Sequence, residues 1–245
     1  MRRLLIRPGA IGDVILSLPA LEAARVGYTE VWAPRPMLPL IRFADRTRAI
    51  ADTGLDLLGV VEGAHVSELD TFDSIYSWYG SARPEFRDAV RDLPFTFFPA
   101  SPPSPNGIPR ISVPPAAPED FAIVHPFASN AVKRWPIEDF RAVARGIGIA
   151  VRWCAGPTEA LPQEALEHAT RIEDLYALAC WISTARVYIG NDSGITHLAA
   201  AVGTPVVAIF LNSDPCIWAP RGLRVAVFER PTPADVLRAA RGFLA

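Results

Sequence analysis

Short apolar runs alternate with amphipathic stretches along most of the chain. Apolar runs bounded by turn residues predict buried strands, and apolar residues at helical spacing predict helices. This alternation is typical of parallel sheets that are covered by helices on both faces. The predicted strands are 3–7, 30–33, 73–78, 95–98, 121–125, 149–154, 186–190, 205–210 and 223–228. The predicted helices are 14–25, 83–93, 137–146, 173–185, 194–202 and 232–244, the last with Thr232 as its N-cap.

A proline-rich segment, 99–118, interrupts the alternation. Proline-dense segments are semi-rigid and extended, as linkers between domains often are. We therefore predict two α/β domains, 1–110 and 111–245, each with its own sheet. The last helix of the second domain could pack back on the N-terminal domain. The alternative is a single domain in which 99–118 is a long surface loop.

The composition narrows the class of protein. Half of the 245 residues are hydrophobic and a fifth are charged, which is ordinary for a soluble globular protein and unlike a disordered one. A formal net charge of −2 provides no global basic field for nucleic acid. The apolar segments are shorter than the roughly 20 residues of a membrane span. We expect a cytoplasmic protein with at most peripheral contact at the inner face of the cell membrane.

Two further sets of residues bear on partners. The three cysteines lack the spacing of zinc ligands, so no metal site is predicted. Arg42, Arg46 and Arg48 could form a small basic face toward an anionic membrane, although an ordinary solvated helix face is the simpler interpretation.

The first candidate motif is the turn 7–13, which joins the first predicted strand to the first helix. It contains Gly9 and Gly12 only, so it lacks the spacing of a dinucleotide-binding fingerprint. A glycine-bearing turn still lets a ligand approach backbone N–H groups at a helix N-terminus. Asp13 lies at that helix start, where a carboxylate can instead act simply as a cap.

The second motif is 125–136, a loop between a strand and a helix that begins at Pro136. Its small polar residues, among them Ser129, precede two cations and suit a diphosphate. Lys133 is the only lysine among the 24 basic residues of the chain. A compact ammonium differs chemically from a guanidinium, so an isolated lysine in such a loop suggests phosphate binding, although a solvated surface lysine is the alternative.

The third motif, 188–205, runs from a strand through a polar turn into a helix. Asp192, Ser193 and Gly194 place a carboxylate, a hydroxyl and free amides at the helix N-terminus. In an open α/β sheet this edge binds ligands, so the amides could hold phosphate while Asp192 accepts hydrogen bonds from a sugar. The alternative is a plain helix cap, with His197 a structural residue of the helix.

Another acid, Glu159, follows a predicted strand in the sequence Gly156-Pro157-Thr158-Glu159. Its carboxylate could reach a ribose or an adenine. It could equally be an acid in the first turn of a helix.

Taken together, the segments 9–21, 125–136 and 189–210 resemble glycosyltransferase family 9, the heptosyltransferases of lipopolysaccharide core assembly. Weaker similarity lies at 69–81 and 213–222. The resemblance covers essentially the whole chain, and its third segment is the most specific.

The resemblance implies an α/β protein of GT-B type, with two Rossmann-like parallel-sheet domains facing across a cleft. It implies that the first domain takes a glycan or glycolipid acceptor and that the second takes ADP-heptose or another nucleotide sugar. It also implies an inverting transfer that requires no metal and no cofactor beyond the donor. Asp13 then matches the general base, and Lys133 matches the lysine that binds the diphosphate. The candidate donor-binding residues are Gly12, Ser129, Lys133, Glu159, Asp192, Ser193, Gly194 and His197.

The sequence also departs from the family pattern. Phe127 replaces a glycine, which predicts crowding where the backbone would approach a phosphate. The segment 211–213 lacks the usual Gly-Pro-Thr, and Ile195-Thr196 replaces a common Pro-Met pair. The first half is short, which concerns the acceptor more than the donor. A non-catalytic nucleotide-sugar-binding protein and a nucleotide-sugar epimerase are the alternative functions.

Overall fold

Each of the two units into which the chain divides, Met1–Gly107 and Ile108–Ala245, is built on a parallel β-sheet. The computed structural model describes residues 1–99 and 107–245. Part of the predicted linker, residues 100–106, therefore lies outside the described residues.

In the first unit, the described strands form a five-stranded sheet in the order β3-β2-β1-β4-β5. The chain runs from β1 to β2 on one side and later returns to the other side of β1, so the strand order reverses at β1. Open α/β sheets bind ligands at such a switch point, beyond the carboxyl ends of the strands. The strands are β1 (Arg2–Ile6), β2 (Tyr28–Ala33), β3 (Arg46–Ala49), β4 (Ser74–Ser77) and β5 (Phe95–Phe97), and the α-helices are α1 (Ile11–Ala23) and α2 (Pro84–Ala89).

In the second unit, the described strands form a six-stranded sheet in the order β11-β10-β9-β6-β7-β8. Its order reverses between β6 and β9, which are neighbours in the middle of the sheet. The strands are β6 (Glu119–His125), β7 (Ala150–Cys154), β8 (Ala169–Thr170), β9 (Ala185–Asn191), β10 (Val206–Phe210) and β11 (Val225–Glu229). The α-helices are α3 (Ile137–Gly146), α4 (Leu175–Ser183), α5 (Gly194–Ala201), α6 (Pro215–Trp218) and α7 (Pro233–Leu244).

Apolar runs explain why the central strands lie where they do. The last five residues of β6 and all of β10 are buried, as expected of parallel strands that are covered on both faces. The last helix begins at the predicted cap, since the Thr232 hydroxyl accepts a hydrogen bond from the Asp235 amide. This helix packs against α3, β9 and β10 of its own unit. Its packing on the first unit stays an expectation.

The segment around residues 42–48 differs from the expected helix face. Arg46 and Arg48 lie in strand β3, which pairs in parallel with β2. Arg48 forms an ion pair with Glu68 at 2.8 Å, and Arg46 approaches Glu30 at 3.9 Å. The helical interpretation was wrong because β3 has too few apolar residues to resemble a strand, and its pairing with β2 determines its conformation.

No helix among the described residues is both long enough and apolar enough to cross a membrane.

Candidate functional site

The turn between β1 and α1 is shaped around Asp13. The Asp13 carboxylate accepts a hydrogen bond from the backbone amide of Ala10 at 2.9 Å, so it caps the start of α1. Gly9 has φ +119°, and a Cβ added there would lie 2.8 Å from the Asp13 Cβ and 2.9 Å from its Oδ2. Glycine is therefore required next to this carboxylate. Gly12 is half-buried in the first turn of the same helix.

Beneath this turn lies Arg7, which sequence reasoning did not single out. It is 1% exposed, and its guanidinium donates to the Ser17 hydroxyl at 2.7 Å and to the Asp13 carbonyl at 3.1 Å. Burial lowers the pKa of Arg7, while the nearby Asp13 carboxylate raises it. The sequence signal that could have identified it is an arginine directly after the buried apolar residues 4–6 of β1.

In the second unit, the two central motifs meet at the switch point between β6 and β9. The loop after β6 is fastened to the end of β9 by the fully buried side chain of Asn191. Asn191 accepts a hydrogen bond from the Trp135 amide at 2.9 Å and donates one to the Pro126 carbonyl at 2.9 Å. Both ends of the loop are thereby held against the strand that leads to Asp192.

Lys133 and Asp192 form the centre of this site. The Lys133 ammonium donates to Asp192 Oδ2 at 2.7 Å, joining residues 59 positions apart in sequence. The Asp192 side chain is 7% exposed and that of Lys133 is 31% exposed, so the carboxylate lies inward and the ammonium lies nearer the surface. The Ser213 hydroxyl donates to the same carboxylate oxygen at 2.5 Å.

Helix α5 begins directly beside this pair. Its N-cap is Ser193, whose hydroxyl accepts a hydrogen bond from the Thr196 amide at 3.4 Å. Gly194 is the first helical residue and is partly exposed. The positive end of the helix dipole therefore follows Asp192 directly in the chain, and Asp192 binds the Lys133 ammonium, an arrangement suited to an anion. His197 is buried within the helix at 4% exposure.

Ser129 is exposed in the loop after β6. The ring of Phe127, which was expected to crowd a phosphate, is buried in the hydrophobic core of the second unit. The ring contacts His125 edge to face, with 5.9 Å between the ring centres. The Phe127 side chain therefore contributes to packing of the core.

Glu159 lies beside β6, in contact with His125. Its carboxylate accepts a hydrogen bond from the Gly156 amide at 2.6 Å and lies 3.7 Å from His125 Nε2. Burial raises the pKa of Glu159, but its contacts with His125 and Gly156 and the positive charge of Arg134 outweigh burial and hold it below the ordinary value of 4.5. A carboxylate kept ionised here is a ready acceptor for hydroxyl groups.

His125 lies between the Glu159 carboxylate and the turn that contains Ser193. It is 4% exposed, and its Nδ1 lies 3.5 Å from the Ser193 hydroxyl, while Nε2 faces Glu159. The second unit thus brings together Lys133, Asp192, Ser193 and Glu159. Asp13 and Gly12 belong to the first unit. Sequence reasoning missed Asn191, His125 and Ser213 as site residues, although all three lie in or beside the motifs.

The residues that the structure describes contain no group of three or more His, Cys, Asp or Glu side chains arranged to hold a metal ion. Cys154 is buried, and burial raises the pKa of its thiol to about 12.

The two parallel sheets define an α/β protein of GT-B type. The strand order of the second sheet reverses where the loops of Lys133 and Asp192 meet. The family model described as glycosyltransferase family 9 (heptosyltransferase) matches residues 106–236. The chain therefore belongs to glycosyltransferase family 9, and the match covers most of the second unit, including the loops of Lys133 and Asp192.

The chain is also similar in sequence to one named heptosyltransferase and in fold to two solved ones. Lipopolysaccharide heptosyltransferase 3 of Escherichia coli K12 is 30% identical over 119 residues, which cover 42% of this chain. The matched region spans only 34% of that relative. The solved structure of ADP-heptose lipopolysaccharide heptosyltransferase II of E. coli has a TM-score of 0.75 at 18% identity, covering 100% of this chain and 98% of that one. The E. coli heptosyltransferase WaaC, solved with ADP, has a TM-score of 0.64 at 16% identity, with 100% and 99% covered.

Proposed function

We propose that this glycosyltransferase moves a heptose, or a related sugar, from ADP-heptose to a lipopolysaccharide-core or other glycan acceptor. The observation that carries the proposal is the Lys133–Asp192 pair beside the N-terminus of α5, at the switch point of the second sheet. Two similar proteins support the donor class, since one is named for ADP-heptose and the other was solved with ADP.

In the proposed reaction, the donor diphosphate takes its place among Lys133, Ser129 and the free amides around Gly194. Negative charge builds on the departing ADP as its bond to the anomeric carbon breaks, and a preorganised ammonium and amides stabilise that charge. Asp192, relieved of part of its ion pair, accepts hydrogen bonds from the sugar. Glu159 accepts hydrogen bonds from the ribose, and Ser193 and His197 shape the turn that holds the phosphates.

The acceptor hydroxyl attacks the anomeric carbon from the face opposite ADP, which inverts its configuration. The hydroxyl loses its proton as the new bond forms, and Asp13 accepts it. The transition state has oxocarbenium character, as in glycoside hydrolysis. In this proposal Gly12 keeps the backbone beside Asp13 open to the substrate.

The replacement Asp13→Ala tests the role of the base. We expect turnover, measured as ADP released from ADP-heptose with a glycan acceptor, to fall about 100- to 10,000-fold, because general bases contribute that much. The affinity for ADP, measured by calorimetry, should remain within about twofold of wild type, because the proposed donor site lies in the second unit. Wild-type turnover in the variant would show that Asp13 is not the general base.

The same assay separates the alternative functions. ADP binding without transfer to any acceptor would indicate a nucleotide-sugar-binding protein. A new nucleotide-sugar isomer formed without an acceptor would indicate an epimerase.

A further inference from the structure

A third loop holds both members of the Lys133–Asp192 pair. This loop, 211–213, follows β10 and is 80 residues from the lysine loop in sequence. The Asn212 side-chain amide donates to the Val132 carbonyl at 2.6 Å, directly before Lys133. The Ser213 hydroxyl donates to Asp192 Oδ2 at 2.5 Å. Asn212 therefore binds the backbone directly before Lys133, and Ser213 binds the Asp192 carboxylate that pairs with Lys133.

Ser213 and Lys133 donate to the same oxygen of Asp192. A buried carboxylate needs hydrogen-bond donors, and each donor that it has reduces its dependence on the others. The Ser213 hydroxyl therefore supports the Asp192 carboxylate at moments when the ammonium is elsewhere. Without that hydroxyl, moving Lys133 away would leave the inward-facing carboxylate poorly solvated.

We propose that Asn212 and Ser213 are positioning residues that set how readily the Lys133 ammonium passes from Asp192 to the diphosphate of an incoming nucleotide sugar. Ser213 stabilises the Asp192 carboxylate after the ammonium has moved to the diphosphate. Asn212 holds the lysine loop where Lys133 can reach both Asp192 and the diphosphate. This role rests on the proposed function, because it requires a diphosphate to arrive at Lys133.

The test is the affinity for ADP and for inorganic pyrophosphate, measured by calorimetry on the whole chain. Ser213→Ala should weaken the binding of both about tenfold, the effect of losing one hydrogen bond to a charged group. Ser213→Thr keeps the hydroxyl and should restore the affinity. Asn212→Ala should also lower the affinity for both ligands, because the lysine loop loses its hydrogen bond to the loop after β10.

A double-mutant cycle distinguishes this role from a direct contact or from simple structural support. In a Lys133→Gln background there is no ammonium to release, so Ser213→Ala should change the affinity for either ligand by less than about twofold. A Ser213→Ala effect of the same size in both backgrounds would overturn the proposal, as would unchanged affinity in the single variant. The melting temperature of each variant controls for unfolding.

The outcomes also separate this proposal from the proposed function. If wild-type protein binds pyrophosphate but not ADP, the donor class is wrong, and the cycle with pyrophosphate still decides the role of Ser213. If wild-type protein binds neither ligand, no diphosphate reaches Lys133, and the positioning role fails as well.

Discussion

At the scale of single residues, the turn around Asp13 gives the first prediction. Gly9→Ala adds a Cβ at a backbone conformation of φ +119° that disfavours L side chains, and that Cβ collides with Asp13. We expect a loss of about 1–2 kcal/mol in the free energy of unfolding, with turnover at least about tenfold lower because the carboxylate is displaced. Denaturant unfolding and the ADP-release assay measure the two effects.

Gly63→Ala is the matched control for this prediction. Gly63 also has a positive φ, +72°, but an added Cβ there would meet nothing within 4 Å. Its replacement should reduce stability to a similar extent and leave turnover unchanged. Equal losses of turnover in the two variants would show that backbone strain alone, rather than displacement of Asp13, affects the reaction.

Glu159 gives a prediction of pH dependence. Its pKa is lowered in the folded protein, so the unfolded chain binds the proton more readily, and acid favours unfolding. This contribution is complete above the ordinary value of 4.5 and is lost as the pH falls through the lower, folded value. Between about pH 5 and pH 3, wild type should therefore lose more stability than Glu159→Gln. Urea titrations at each pH measure the difference.

The exposed Glu173→Gln serves as the control for removing a carboxylate as such. Its stability should follow the wild-type dependence on pH. If Glu159→Gln has the same acid sensitivity as wild type, the contacts with His125 and Gly156 do not favour the ionised carboxylate.

Single residues also show how far the sequence could predict the site. Lys133 stood out because it is the only lysine, and Asp192 because it lies between a strand and a helix. Their direct pairing could not be predicted, because it depends on two loops meeting across neighbouring strands. The burial of Phe127 could not be predicted either, because the sequence does not show whether a loop side chain turns toward the core.

At the scale of elements, the junction between the lysine loop and β9 depends on one asparagine. Asn191→Ala leaves the Trp135 amide and the Pro126 carbonyl without this buried partner. Each unsatisfied buried group costs about 1–3 kcal/mol, so we expect about 2–5 kcal/mol less stability. The affinity for ADP should fall as well, because the loop that carries Lys133 is released. Denaturant unfolding and calorimetry check the two expectations.

Asn130→Ala is the corresponding control in the same loop. Asn130 is exposed, and its side chain accepts a local hydrogen bond from the Val132 amide at 3.2 Å. Its replacement should cost no more than about 1 kcal/mol. Equal costs at positions 130 and 191 would contradict the structural role assigned to the buried side chain.

The elements themselves were predictable where apolar runs are strong. The central strands β6 and β10 and the amphipathic helices α3 and α7 lie close to their predicted positions, because burial dictates their patterns. Strands β3 and β8 were missed, since β3 is rich in arginine and β8 contains only two residues. Such edge strands depend on their neighbours rather than on their own composition.

At the scale of the whole molecule, the two units repeat one principle: a parallel sheet whose strand order reverses beside a strand-to-helix turn. The first such turn contains Asp13, and the second contains Asp192 and the cap of α5. The proposed chemistry divides in the same way, with the base in one unit and the donor site in the other. The family match covers most of the second unit, including the loops of Lys133 and Asp192.

The central claim is that Lys133 receives the diphosphate of the donor. Because the sequence has one lysine, protein labelled with ¹³C-lysine has a single lysine side-chain signal, and NMR can follow it during a titration with ADP. We predict a saturable shift of that signal with ADP and with pyrophosphate, and none with adenosine. A signal that stays in place while calorimetry records ADP binding would contradict it.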